Sequence, residues 1–275
     1  HLQSPIWTGF AGCVRLRNNC TTLKLLVLLK GYFILIFDTR APECSVLETG
    51  NLKLEEVRVR EDPILQPQRV GRLTLPNRVV MTTVKLGYST PAGEVTDRHL
   101  AFYRRRALAG VGLLTSEPLY VRRDGQELPT QMGIHGDGLV EGLTRLVAGV
   151  HEAGGRIMAH LNHAGRAANP KLVGEENLVS ASDVPCPANQ GHPRALTPEE
   201  IGEVIQAFGR AAHRARKAGF DAVEIPFSHG YLIHQFLSPH TNRREDGYGG
   251  DFLSRASFGL EVLNAVRKGV GDECP

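Results

Sequence analysis

From Asp62 onward, short apolar runs rich in β-branched residues alternate with longer segments whose apolar positions recur at the helical period. The first run is Arg78-Val79-Val80-Met81-Thr82. After a long loop, a helix is expected from about Asp97 to Ala109, stopped at Gly110, where a left-handed cap meets no Cβ. A second strand is expected over Val111 to Glu117. Its helix sets Leu139, Leu143, Leu146, Val147 and Val150 on one face and ends at Gly154. The third strand is expected over Arg156 to Leu161. The helix that follows opens on Thr197-Pro198-Glu199-Glu200, which offers a cap residue, a proline for the first turn and a glutamate placed for a capping box. Ile201, Val204, Ile205, Phe208 and Ala212 form its buried stripe. A fourth strand spans Ala222 to Pro226, and the last helix carries Phe258, Val262, Val266 and Val270 before Gly271. Such alternation belongs to parallel α/β folds. Four units fit either a small open sheet or half of a (β/α)8 barrel, and periodicity does not separate the two.

Residues 1–61 lack both a clean period and a signal-peptide cleavage pattern. They are read as an unassigned N-terminal extension, expected to be a poorly ordered appendage. Their most apolar stretch, Leu25 to Phe37, is interrupted by Lys30 and is shorter than the roughly 20 apolar residues of a spanning helix, so no membrane partner is expected. With 41% hydrophobic and 22% charged residues, the chain has the composition of an ordinary globular protein. A formal net charge of +3 gives no electrostatic reason to expect a nucleic acid. Cys13, Cys20, Cys44, Cys186 and Cys274 form no C-x-x-C pair. That argues against a disulfide framework or zinc knuckle and favours a reducing cytoplasm.

Several strings then occur colinearly. They are Leu75-Pro76-Asn77-Arg78-Val79-Val80-Met81, Gly154-Gly155-Arg156 with His163-Ala164-Gly165-Arg166, Pro193-Arg194-Ala195-Leu196-Thr197, and Ala218-Gly219-Phe220-Asp221-Ala222-Val223-Glu224-Ile225. The most specific is His229-Gly230-Tyr231-Leu232-Ile233-His234-Gln235-Phe236-Leu237-Ser238-Pro239, continuing to Thr241-Asn242-Arg243-Arg244 and Tyr248-Gly249-Gly250. Together they resemble the old yellow enzyme family, the FMN-dependent ene-reductases and their 2,4-dienoyl-CoA reductase relatives. The resemblance implies an α/β TIM barrel with FMN across the C-terminal ends of its strands. It also implies NADH or NADPH as reductant and hydride transfer to an activated alkene. Residues 62–275 then correspond to a partial FMN-binding barrel, strands one to four. The loops after strands seven and eight, which hold the phosphate in such barrels, fall outside this sequence, and no iron–sulfur cluster is encoded in it.

The resemblance also assigns roles. Tyr231 matches the family's proton-donating tyrosine, and a phenol with a pKa of about 10 is protonated at neutral pH. His229 matches one member of the pair that binds the substrate carbonyl. The other member's place is taken by Pro226, which has no donor to offer and puts ordinary enone reduction in question. Thr83, Val84 and Lys85 fall where the family lies beneath the flavin ring. Lys85 is either a partner for the reduced ring or a solvated surface lysine. Pro118 follows the second strand where a small residue approaches the flavin. His160 replaces the glutamine that reaches the flavin's pyrimidine edge.

Two other readings stay open. One is a non-catalytic truncated barrel or interaction module, because open strand edges invite self-association. The other is a metal-dependent hydrolase built on His160, His163, His229 and His234. Strand alternation disfavours it by turning His160 and His163 to opposite faces, and loop structuring is the preferred reading for His163 and Arg166. The loop from Ala167 to Leu196 is expected to help cover the substrate.

Overall fold

The computed structural model describes residues 23–29, 32–37, 62–272 and 274–275. The chain divides into two compact units, His1–Val57 and Arg58–Pro275. In the first, β1 (Leu23–Leu29) and β2 (Tyr32–Phe37) form an antiparallel hairpin, in a stretch whose sequence announced no strand period. The rest of the extension, and with it the expectation of poor order, lies outside the described residues.

The second unit opens with the antiparallel hairpin β3 (Gln68–Val70) and β4 (Leu73–Leu75). There follow β5 (Val80–Met81), α1 (Asp97–Leu108), β6 (Leu113–Thr115), β7 (Leu119–Tyr120), α2 (Val140–Glu152), β8 (Ile157–Asn162) and the single turn α3 (Pro170–Val173). Next come β9 (Val179–Ser180), β10 (Arg194–Ala195), α4 (Pro198–Ala218), β11 (Ala222–Glu224), α5 (Leu232–Leu237) and α6 (Phe252–Val270). Strands β5, β6, β8 and β11 pair in parallel, each beside its predecessor in sequence. A doubly wound open sheet reverses its strand order at a switch point. This sheet keeps one direction, as a (β/α)8 barrel does, and the described residues supply four of the eight units.

The helices form where period and caps predict them. Thr197 Oγ accepts from the Glu200 N–H and Glu200 reaches back to the Thr197 N–H, closing the expected capping box of α4. Leu143, Leu146, Val147 and Val150 of α2 are buried against Ile157, Ala159 and Leu161 of β8 in one core, each contributing roughly 1.5–3 kcal/mol of apolar burial. In α4, Ile205 is only half-buried, and Ala207, Ala211 and Ala215 complete the inner stripe. α6 crosses α4 closely at Gly209 and Ala212. A Cβ on Gly269 would stand 2.5 Å from the Gly209 carbonyl oxygen.

The fourth strand ends at Glu224 and not at Pro226, and two others differ further from expectation. β5 is reduced to Val80–Met81 because the Asn77 side chain takes the Val79 N–H and the Gly110 carbonyl before the ladder begins. The expected second strand, Val111 to Glu117, is shortened to Leu113–Thr115. The Glu117 N–H goes to the Tyr103 hydroxyl at 2.7 Å, and Pro118 has no N–H to give. Pairing with β8 resumes only at Leu119. Among the described residues, no helix is long and apolar enough to cross a membrane.

Candidate active site at the strand ends

Alternation along β8 sends Ile157, Ala159 and Leu161 outward into the helix-facing core and leaves Met158, His160 and Asn162 on the opposite, inner face. Register places Thr115 of β6 beside Met158, and Glu224 of β11 beside His160. This inner face is polar. His160 is buried, and its Nδ1 lies 2.8 Å from Glu224 Oε2. Because a carboxylate only accepts, Nδ1 carries a proton, and in the tautomer with that single proton Nε2 is an acceptor. That Nε2, Thr115 Oγ, and both Oδ1 and Nδ2 of Asn162 are buried with no protein partner. Buried polar atoms are rarely left unpaired. A set of unpaired acceptors and donors at the C-terminal ends of parallel strands suits a heteroaromatic ring carrying N–H and C=O groups, as the pyrimidine half of a flavin does.

Just beyond the strand ends, the fully buried Glu117 organises the backbone. Its Oε1 accepts from His99 Nε2 at 2.9 Å and from the Met132 N–H at 3.3 Å. Its Oε2 accepts from the Leu86 and Gly87 N–H groups at 2.9 and 3.3 Å. His99 is held in this tautomer because its Nδ1 accepts the Thr96 N–H. Thr83 donates its hydroxyl to the Ser116 carbonyl at 2.8 Å, while the neighbouring Val84 is exposed. Pro118 is buried, and its carbonyl accepts from Gln131 Nε2 at 2.8 Å.

Three side chains from separate loops then meet. Lys85 Nζ lies 2.5 Å from Glu127 Oε1, the Tyr231 hydroxyl donates to Glu127 Oε2 at 3.2 Å, and the Lys85 ammonium stands 5.5 Å from the Tyr231 ring centroid. Burial, the largest cause, raises the Tyr231 pKa against the lowering hydrogen bond from Lys85, and Glu127 adds to the upward side, so the phenol stays protonated beyond its ordinary range. For Lys85, burial acts downward, but Glu127 and Tyr231 overcome it and the net shift is upward. Lys85 is thus an ion-paired residue and not a bare surface lysine. Glu127 carried no signal in the sequence. It sits in an aperiodic loop 104 positions from the tyrosine it touches.

His229 is exposed, with φ +63°, and its Nδ1 lies 2.7 Å from the Ser228 hydroxyl. A non-glycine residue in the left-handed region is uncommon and carries backbone strain, as functional loops often do. Its ring centroid is 6.4 Å from that of Tyr231. Pro226 is buried, with no donor to contribute. Gln235 anchors the helix that follows Tyr231. Its Oε1 accepts from the Arg166 N–H and the Ser180 hydroxyl, and its Nε2 donates to the Ala164 and Gly230 carbonyls.

The histidines proposed as metal ligands go separate ways. His163 Nε2 faces Asp124 Oδ1 at 3.3 Å, its Nδ1 accepts from the Gly165 N–H, and Arg166 binds the Val184 and Pro185 carbonyls. These are loop-structuring contacts. Among the described residues, no three His, Cys, Asp or Glu side chains gather as a metal site.

The family model described as the NADH:flavin oxidoreductase / NADH oxidase family matches residues 63–274. A metal reductase of Desulforamulus reducens is 45% identical over 212 residues, 77% of this chain and 31% of that protein. An NADPH dehydrogenase of Listeria monocytogenes is 43% identical over 197 residues, 71% of this chain and 57% of that protein. The structure of an old yellow enzyme from a Pichia species aligns with a TM-score of 0.73 at 32% identity, covering 78% of this chain and 58% of that one. The chain therefore spans less than two thirds of the length of each of these relatives. The match over most of its residues nevertheless fixes its kinship: the chain belongs to the NADH:flavin oxidoreductase / NADH oxidase family, that of the old yellow enzymes.

Proposed function

We propose that this chain holds FMN along the inner face of β6 and β8 and takes part in NAD(P)H-dependent reduction of an activated alkene. The observation that carries the reading is the row of buried, unpartnered polar atoms on Thr115, His160 and Asn162, in a chain whose family is defined by flavin chemistry. FMN, once reduced by NADH or NADPH, supplies the hydride that goes to the β-carbon of the alkene. His160 Nε2, with its lone pair free while Nδ1–H faces Glu224, would accept from the flavin's pyrimidine N–H. Thr83 and Val84 would lie beneath the ring, with Pro118 at its edge.

Tyr231 donates its proton to the α-carbon, and a raised pKa keeps that proton available at neutral pH. His229 donates to the substrate carbonyl as negative charge develops on it. With Pro226 in place of a second donor, that oxygen receives one side-chain hydrogen bond here. The reading therefore favours an alkene activated by a group that needs less oxyanion stabilisation than a simple enone.

The test is the visible spectrum of the purified chain after incubation with FMN and desalting. A retained flavin band that NADH or NADPH bleaches and an activated alkene restores supports the proposal. In that case Tyr231→Phe should slow the alkene-driven recovery by about 10²-fold or more, the usual contribution of a positioned general acid. A colourless protein overturns it.

A further inference from the structure

We propose that Glu127 and Lys85 form a positioning pair for Tyr231, so that Lys85 serves the proton donor and not the flavin. This inference rests on the reading of Tyr231 as the acid and adds the device that aims and retains its proton. Glu127 uses its two oxygens differently, one for the Lys85 ammonium at 2.5 Å and one for the Tyr231 hydroxyl at 3.2 Å. The ammonium keeps the carboxylate ionised and therefore an acceptor only, which obliges the phenol to be the donor.

Both members of the pair are fixed to the same strand end. The Glu127 N–H donates to Gln131 Oε1 at 2.8 Å, and Gln131, itself buried, is tied through Nε2 to the Pro118 carbonyl. Lys85 immediately precedes Leu86, whose N–H is held by the buried Glu117. Glu117 and Pro118 are adjacent, so a two-residue segment sets the separation of the ammonium and the carboxylate. Support of this kind makes an aimed hydroxyl and not a passing surface contact. The groups facing the phenol are Glu127, Lys85 and, at 6.4 Å between ring centroids, His229.

The arrangement acts in the proton-transfer step. With substrate present, the Tyr231 O–H bond breaks, a C–H bond forms at the α-carbon, and the charge left on the phenolate is countered by the Lys85 ammonium. Without substrate, Glu127 holds the hydroxyl proton and opposes its loss to solvent. The two charges thus push the phenol in opposite directions, and each can be removed separately.

Tyrosinate absorbance near 295 nm, taken as the difference between each protein and its matched Tyr231→Phe variant, reads this phenol alone among the six tyrosines. Glu127→Gln should lower the Tyr231 midpoint, and Lys85→Met should raise it, each by about one pH unit. Lys85→Arg should restore the parent value. Glu127 and Lys85 side chains are 20% and 40% exposed, so the variants should fold. The 13Cζ resonance of labelled Tyr231 at neutral pH gives a second reading, expected to shift in Glu127→Gln. Unmoved midpoints and an unmoved resonance in both variants would overturn the pairing. A Tyr231→Phe variant with undiminished alkene reduction, alongside shifted midpoints, would instead remove the acid role and leave the pairing intact as a structural contact.

Discussion

His160 turns Nδ1 to Glu224 Oε2 at 2.8 Å and leaves Nε2 buried without a partner. The carboxylate fixes the tautomer, and the tautomer decides what the inner face offers. His160→Ala should therefore weaken FMN binding by about fivefold to tenfold, the worth of one hydrogen bond of roughly 1 kcal/mol. His160→Gln should retain it, because an amide also accepts. Titration of FMN fluorescence measures both, and equal affinity in His160→Ala and the parent would remove His160 from the site.

The buried carboxylate of Glu117 accepts from His99 and from three backbone N–H groups. Glu117→Ala strands four donors in the interior, and the loss of such a buried network should cost about 3 kcal/mol or more. Urea denaturation gives the number. A cost below about 1 kcal/mol would mean that the loops repack around the gap.

His135 stacks on Tyr120 with ring centroids 4.8 Å apart. Burial, together with the charges of Arg123 and Arg214, pushes its pKa down to about 4. The unfolded chain takes up this proton near pH 6.5. As pH falls from about 6.5 towards 4, the unfolded state binds the proton first, so stability declines across that window and levels off below it. His135→Phe keeps the stack and removes the titration. Its unfolding midpoint in urea should be less pH-dependent between pH 6.5 and 4 than that of the parent.

Gly269→Ala would ordinarily favour a helix by about 0.5–1 kcal/mol. Here the added Cβ would stand 2.5 Å from the Gly209 carbonyl oxygen. The backbone of α4 has no flexible end to move aside, so α6 must shift. Overpacking of this kind costs about 1–3 kcal/mol, and thermal unfolding should show a lowered midpoint.

The four strands, the long helices and the α4 capping box could be read from the sequence because each follows from local periodicity or cap chemistry. The two departures have causes that local pattern does not carry. β5 is cut short by an asparagine side chain, and the second strand stops short of Glu117, whose N–H is captured by a tyrosine hydroxyl from α1. In the candidate site, Tyr231, His229 and His160 could be found through motif position. Glu127 could not, since its partners Lys85 and Tyr231 lie 42 and 104 positions away and its own loop has no period. Lys85 could be noticed, but its partner could not.

Gln235 satisfies both lone pairs and both N–H groups of its amide, joining Arg166, Ser180, Ala164 and Gly230 around the turn that presents Tyr231. An amide has no proton to gain or lose in the physiological range. The frame of this candidate site is thus neutral while the phenol we propose as its acid sits among charges. Acidity can alter the charges around the Tyr231 hydroxyl without slackening the turn that carries its backbone, so the place of the residue and the bias on its proton rest on different groups.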